Sequence, residues 1–427
     1  MKKRLLFLML SACILCAVSL KFLSEEETGQ KNPEHVAESL HEEAVTEETS
    51  VTEEIPVTEE TPVTEEMPVA DVETVEEADT RTEDDGLDAF SYCYTRLDEA
   101  EQKVYREIYA ILTTFGEDVT LSTTDPDRLG DVFQCVLNDH PEIFYVQGYT
   151  YTSYTKGEKI IRLTLSGTYT MSPEEAAWCE QQIEEYAKTC LAGLRPEASD
   201  YEKVKYVYEY LIKHTEYQQD SPENQNICSV FLNGKSVCQG YAKATQYLLN
   251  RAGVFCTLVI GSVSEGEGHA WNLVQMDGEY YYVDTTWGDA SYQMEEGERD
   301  AWEKKLPDIN YDYLGVTTEQ LLRTHRLNHV VPLPLCVSMD CNYYVREGTY
   351  VTSSEEEQLS RIFEAHFAQD GGYITLKCAN EAVYREVKQL LLEEQKIFTL
   401  LHQTDGTVAY SENGEQLSLS FWIWEDS

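Results

Sequence analysis

Three residues in one short stretch have the types and spacing for nucleophilic chemistry: Cys238, His269 and Asp284. Ser236-Val237-Cys238-Gln239 reads as a capping box, with Ser236 as N-cap and Gln239 three positions on. It predicts a helix from Val237 to about Ala252, with Arg251 in the last turn and Gly253 just beyond as stop signals. Cys238 then lies in the first turn, where free N–H groups and the positive end of the helix dipole favour a thiolate. Val254 to Val263 reads as a strand, 264–268 as a loop and His269 to Met276 as a second strand. Asp277-Gly278 is a two-residue type I′ hairpin signal, and Glu279 to Asp284 is the returning strand. That turn pairs Met276 with Glu279 and, by continuation, His269 with Thr286 and Trp271 with Asp284. His269 and Asp284 become diagonal neighbours on one sheet face, with Cβ atoms roughly 7–8 Å apart or less. Singly, these are an ordinary core thiol, a satisfied histidine and a turn former. Together they supply a thiol, a general base and a carboxylate that fixes the tautomer of the base.

The surrounding residues carry a resemblance. Cys238-Gln239-Gly240-Tyr241-Ala242, His269-Ala270-Trp271-Asn272 and Val283-Asp284-Thr285-Thr286-Trp287-Gly288 resemble the three motifs of the transglutaminase-like superfamily. The tracts Asp139 to Tyr145 and Pro332 to Cys336 are similar to extracytoplasmic bacterial members. The resemblance covers about 200–330 and implies a papain-like core, a nucleophile helix packed on an antiparallel sheet. It implies that Cys238 attacks a peptide or carboxamide carbonyl to form a thioester, that His269 shuttles the proton and that Asp284 orients His269. The acyl group would pass to water, as in a protease or amidase, or to an amine, as in cross-linking. The alternative is a non-catalytic envelope scaffold that keeps the fold for binding. The Cys238 N–H would help hold the oxyanion, with Gln225 or Asn226 as side-chain donor. Gly240 would leave the thiol uncrowded, and Trp271 would shield the site. There is no calcium-loop spacing like that of the animal cross-linking enzymes. No cofactor is expected.

The elements around this core read as α+β throughout. Residues 89–196 form an N-terminal α+β domain, with helices at 97–116, 127–139 and 173–194 and strands at 143–152 and 159–165. The catalytic domain spans 197–335 and opens with a helix at 199–214 under a Ser199–Glu202 capping box. Residues 336–427 alternate strands with helices at 354–368 and 380–394, an accessory α+β domain in which nothing specifies chemistry. His325, His329, Cys336 and Cys341 have zinc-ligand types, but their order and gaps fit no standard site, so no metal is expected.

Charge and hydropathy describe the remainder. The formal net charge is −46 with only 32 Lys and Arg in 427 residues, which excludes nucleic acid as a partner. Residues 24–88 hold 24 acidic and two basic residues and no aromatic one, and repeat Val-Thr-Glu-Glu every six residues with interspersed Pro. This composition predicts a disordered acidic tether. Residues 1–23 carry a basic start and an apolar run from Leu5 to Leu20, a signal peptide or membrane anchor. Leu10-Ser11-Ala12-Cys13 resembles a lipobox with Cys13 as the lipidation candidate, and an uncleaved signal anchor is the other option. Either places the protein outside the cytoplasm, attached to the membrane through its N-terminus, with protein or peptide substrates in the cell envelope. Of twelve cysteines, Cys13 and Cys16 lie in that run. If Cys238 stays free, an odd number remains, so at least one more is unpaired.

Overall fold

The computed structural model describes residues 3–7, 9–11, 90–156, 159–263, 266–293, 307–367, 372–401 and 406–424. Cys13 and the 24–88 tether lie outside the described residues. Two compact units form. One holds 90–136 and 145–170; the other holds 137–144 and 171–424 with the strands at 3–7 and 9–11. The units run across the boundary expected at 196 and join the segments expected to part at 335.

In the first unit, α1 (Glu99–Thr113) starts at a capping box made by Asp98 and Glu101. Helix α2 (Leu129–Asp139), of which residues 129–136 fall in this unit, ends where His140-Pro141 prevents continuation. Strands β1 (Val146–Lys156) and β2 (Lys159–Tyr169) pair antiparallel, and Val119–Thr120 pairs with the far side of β2. Phe115 packs its ring 4.8 Å from Tyr145 and 4.4 Å from Tyr169.

The second unit holds the three candidate residues. Helices α3 (Pro173–Leu191) and α4 (Asp200–His214) both begin at Ser/Glu capping boxes, at Ser172 and Ser199. Helix α5 (Cys238–Arg251) lies on a sheet of β3 (Cys256–Val263), β4 (Gly268–Met276), β5 (Glu279–Val283), β6 (Leu314–Val316) and β7 (His325–Leu327). The order across this sheet is β6-β5-β4-β3-β7. Ala242 on α5 packs against Leu258 and Ala270, small and apolar side chains that let the helix sit close. Asn272 on β4 ties down the helix backbone by donating to the Ala242 carbonyl at 2.9 Å.

A second sheet forms from the C-terminal segment. β8 (Tyr350–Val351) runs parallel to β9 (Tyr373–Cys378), which pairs antiparallel with β11 (Ser418–Trp424), and β10 (Gly406–Asn413) pairs with the other side of β11. Helices α6 (Glu356–Phe367) and α7 (Glu381–Lys388) cover it over a core that includes Phe363, Leu376, Val387, Phe398 and Phe421. The backbone of Lys3–Phe7 runs parallel along β10, and that of Met9–Ser11 pairs with Ser291–Gln293. Among the described residues no helix is long and apolar enough to cross a membrane.

Candidate active site

Cys238 is the first residue of α5, and the residue before it, Val237, is extended at φ −114° and ψ −179°. Val237 is therefore the N-cap, and no side chain caps the helix, contrary to the Ser236 capping box read from sequence. Ser236 is held elsewhere: its Oγ lies 2.6 Å from Ser229 Oγ and 2.8 Å from the Asn224 carbonyl oxygen. The Val237 N–H donates to the same Asn224 carbonyl at 3.2 Å. The chain at 224–226 is thereby fixed against the approach to Cys238.

Gly240 closes this joint. A Cβ there would stand 1.9 Å from Ser236 Oγ, 2.9 Å from Asn224 O and 3.0 Å from Ser229 Oγ. Its role is to admit the hydroxyl pair and the 224 backbone, rather than to clear space around the thiol. Gly240→Ala is expected to cost about 1–3 kcal/mol by overpacking. Denaturant unfolding of the variant measures this, and an unchanged midpoint would refute it.

The two weak oxyanion candidates separate. Asn226 is buried and committed: its Oδ1 accepts from the Cys228 N–H at 2.8 Å and its Nδ2 donates to Glu223 at 2.6 Å. It is a loop brace. Gln225, half-buried on the same loop, is the one whose amide enters no hydrogen bond among the described residues.

The β4–β5 hairpin has the register read from sequence, from Met276 opposite Glu279 to Asn272 opposite Val283. Asp277 and Gly278 both take positive φ, 51° and 86°, as a type I′ turn requires. The ladder stops there, so Thr286 does not face His269 and Asp284 does not face Trp271. Instead Asp284 Oδ1 accepts from the Thr286 and Trp287 N–H groups, each at 3.0 Å, and turns the chain into a one-turn helix at Thr285–Gly288. The parity survives this turn. His269 Nε2 and Asp284 Oδ2 are 2.7 Å apart, and both residues are buried.

A third group was not foreseen at this site. His325 on β7, fully buried, places Nε2 3.1 Å from the same Asp284 oxygen. Gly261 makes room for it: a Cβ there would meet the Arg326 carbonyl at 2.1 Å and the Trp271 ring at 2.5 Å. Trp271 and Trp287 wall the trio, with ring centroids 4.8 and 4.7 Å from His325 and 5.8 Å each from His269. Both tryptophans are buried.

The charges follow from these contacts. Burial alone would raise the Asp284 pKa, but His269 and His325 outweigh it and hold the carboxyl well below the ordinary carboxylate range. Burial would likewise lower the His269 pKa. The charge and hydrogen bond of Asp284, with a hydrogen bond to the Cys238 thiol, overcome that and take it up to about 10. Burial prevails at His325, whose pKa stays below the ordinary imidazole value despite Asp284. An ionised carboxylate only accepts, so both Nε2 atoms carry protons and donate to Oδ2. His269 Nδ1 is left to exchange a proton with Cys238.

The His269, Asp284 and His325 ligand atoms lie within 4.8 Å of one another and have the types that hold a divalent metal. Their hydrogen bonds already use both imidazole protons and the shared oxygen, so the trio is satisfied as a network. The four residues weighed for zinc do not assemble. His325 is on Asp284, the Cys336 thiol points at the Pro334 carbonyl at 3.8 Å, and the Cys341 thiol meets Asp277 at 3.5 Å. No disulfide joins any of the ten described cysteines, and only Cys238 and Cys179 among them are not buried.

Residues 187–285, which include Cys238, His269 and Asp284, match the family model of the Transglutaminase-like superfamily. Kyphoscoliosis peptidase from Mus musculus and from Homo sapiens are each 30% identical over 107 residues, covering 21% of this chain. The chain spans 16% of the length of these curated relatives. Among solved structures, a TGase is similar at 15% identity and a TM-score of 0.25, over 36% of this chain and 49% of that one. The fold is α+β with a transglutaminase-like core.

Proposed function

We propose, from the premise that residues 187–285 form a transglutaminase-like core, that this chain is a thiol acyl-transfer enzyme acting on peptide or carboxamide carbonyls. One observation carries the reading. A half-buried cysteine at a helix start interacts with an imidazole whose Nε2 is held at 2.7 Å by a buried carboxylate. With the His269 pKa held up to about 10, the pair reacts as imidazolium and thiolate, and the Cys238 sulfur attacks the carbonyl carbon. A C–S bond forms as the carbonyl π electrons move to oxygen. The Cys238 N–H, without an intrahelical partner in the first turn, donates to that oxygen, and the Gln225 amide is the candidate second donor. The C–N bond then breaks and the imidazolium protonates the departing amine.

The thioester is resolved by water, giving an acid, or by a second amine, giving a new amide. In either case His269 takes the proton of the incoming nucleophile and returns it to sulfur. The peptidase names of the mouse and human relatives support water as the acceptor. We place the enzyme in the cell envelope on the strength of the Leu5–Leu20 run, with the acidic tether as spacer.

Iodoacetamide labelling tests the reading. Cys238 is expected to react first among the thiols, and His269→Ala is expected to slow it. Slow labelling of all thiols alike, unaffected by His269→Ala, would refute it. Partition of the thioester between water and a labelled amine separates hydrolysis from transfer.

A further inference from the structure

We propose that His325 is a positioning residue for this site, fixing the Asp284 carboxylate, and that the C-terminal sheet holds His325 in the required tautomer through Thr324 and Gln416. This rests on the thiol reading of Cys238 and adds to it residues outside the matched segment.

The argument follows hydrogen-bond directions from one end of a buried chain to the other. Lys377 on β9 is fully buried and can only donate; its Nζ lies 3.1 Å from Gln416 Oε1. That contact fixes the Gln416 amide, so its Nε2 donates, 3.3 Å from Thr324 Oγ1 and 3.4 Å from the Gln320 carbonyl. Thr324 has one hydroxyl proton. His325 Nδ1 is 2.8 Å from the hydroxyl and the Leu321 carbonyl 3.4 Å, so the imidazole is the better acceptor. With Nδ1 accepting, the His325 proton must sit on Nε2, where it donates to Asp284 Oδ2 at 3.1 Å. An ammonium at one end and a carboxylate at the other leave a single consistent polarity. Gln416, His325 and Lys377 are each 0% exposed, so water does not compete along the chain.

The consequence for Asp284 is that all its directions are spoken for. Oδ1 is held by two backbone N–H groups and Oδ2 by two imidazoles. Without His325 the carboxylate keeps its charge but loses one of the contacts that set the height of Oδ2 against His269. A misplacement of this kind can cost up to about 100-fold in rate.

The test uses the full chain and the second-order rate of Cys238 alkylation by iodoacetamide at neutral pH, with turnover of a peptide amide where one is found. His325→Leu is expected to slow alkylation about 10-fold. His325→Gln, whose amide nitrogen can occupy the place of Nε2 and donate, is expected to recover most of it. Thr324→Val is expected to slow alkylation by several-fold, and Thr324→Ser to restore it, which keeps the proposal open to refutation if His325→Leu does not fold. Thermal unfolding of each variant separates rate from stability. Equal alkylation rates in folded His325→Leu, His325→Gln and the parent would overturn the proposal, as would Thr324→Val and Thr324→Ser behaving alike. If His269→Ala also leaves labelling of Cys238 unchanged, the thiol reading fails; if only the His325 and Thr324 variants are silent, this proposal fails alone.

Discussion

Asp284→Asn is expected to lower turnover by roughly 10³- to 10⁴-fold while leaving the chain folded, the scale on which a Ser-His-Asp triad responds to the same change. The reason is the number of donors aimed at this side chain. Oδ1 accepts from two backbone N–H groups and Oδ2 from two imidazole N–H groups. A carboxylate accepts on both sides, but an amide carries donors on one of them. If the amide nitrogen faces the imidazoles, His269 must accept at Nε2 and carry its proton on Nδ1, where it cannot take one from Cys238. If it faces Thr286 and Trp287, the turn loses its cap. The charge is lost as well. His269 stands at about 10 in the folded protein because Asp284 overcomes the effect of burial, so its pKa must fall in the variant. The linkage sign is set by a raised value: the stability contributed by the His269 charge is complete below pH 6.5 and is lost as the pH rises to about 10. Stability measured against pH is therefore expected to decline across that window in the parent and to be flatter there in Asp284→Asn. Undiminished turnover in the variant would remove Asp284 from the mechanism.

Breaking the buried pair between Lys377 and Asp312 is the largest expected effect on stability. Lys377 Nζ is 3.2 Å from Asp312 Oδ1, both are almost fully buried, and Asp312 Oδ2 also accepts from Ser418 at 2.7 Å and Asn413 at 3.1 Å. Asp312→Ala leaves an ammonium without its counter-charge and is expected to cost about 3–5 kcal/mol. Replacing both partners with apolar residues, as in Lys377→Met with Asp312→Leu, is expected to cost much less, because no buried charge is left uncompensated. Burial already lowers the Lys377 pKa, and without Asp312 its main opposing influence is gone. The unfolded state of Asp312→Ala then binds a proton that the folded state releases, so its stability should rise with pH. Denaturant unfolding of the single and double variants at two pH values checks both statements. A double variant no more stable than Asp312→Ala would show that the cost lies elsewhere.

What could be read from sequence was what is encoded locally. The Asp277-Gly278 turn and the two-residue period of a strand were enough to bring His269 and Asp284 to one face, and they form a 2.7 Å hydrogen bond. The capping box at Ser199 depends on residues three apart and was equally legible. Ser236 showed the limit of that rule. The pattern was present, but a competing partner, Ser229 seven positions earlier, had claimed the hydroxyl. His325 was out of reach for a different reason. Its strand has three residues, too few to show a period, and it meets Asp284 across 41 positions of chain. The clue that was available was Gly261, a glycine inside a strand, which marks close approach of another backbone. The C-terminal sheet offered no clue to chemistry, since its contribution passes through Lys377 and Gln416, residue types that sequence alone assigns to the surface.

The same sheet has a consequence for the timing of activity. A chain made from its N-terminus presents Cys238 long before Gln416 and Lys377 exist to complete the buried polar path behind Asp284. The nucleophile is therefore synthesised first and its support last, so a nascent or truncated chain would expose the thiol without the full set of contacts that aligns its base. On the thiol reading, competence would come only after the last part of the unit has folded onto the first.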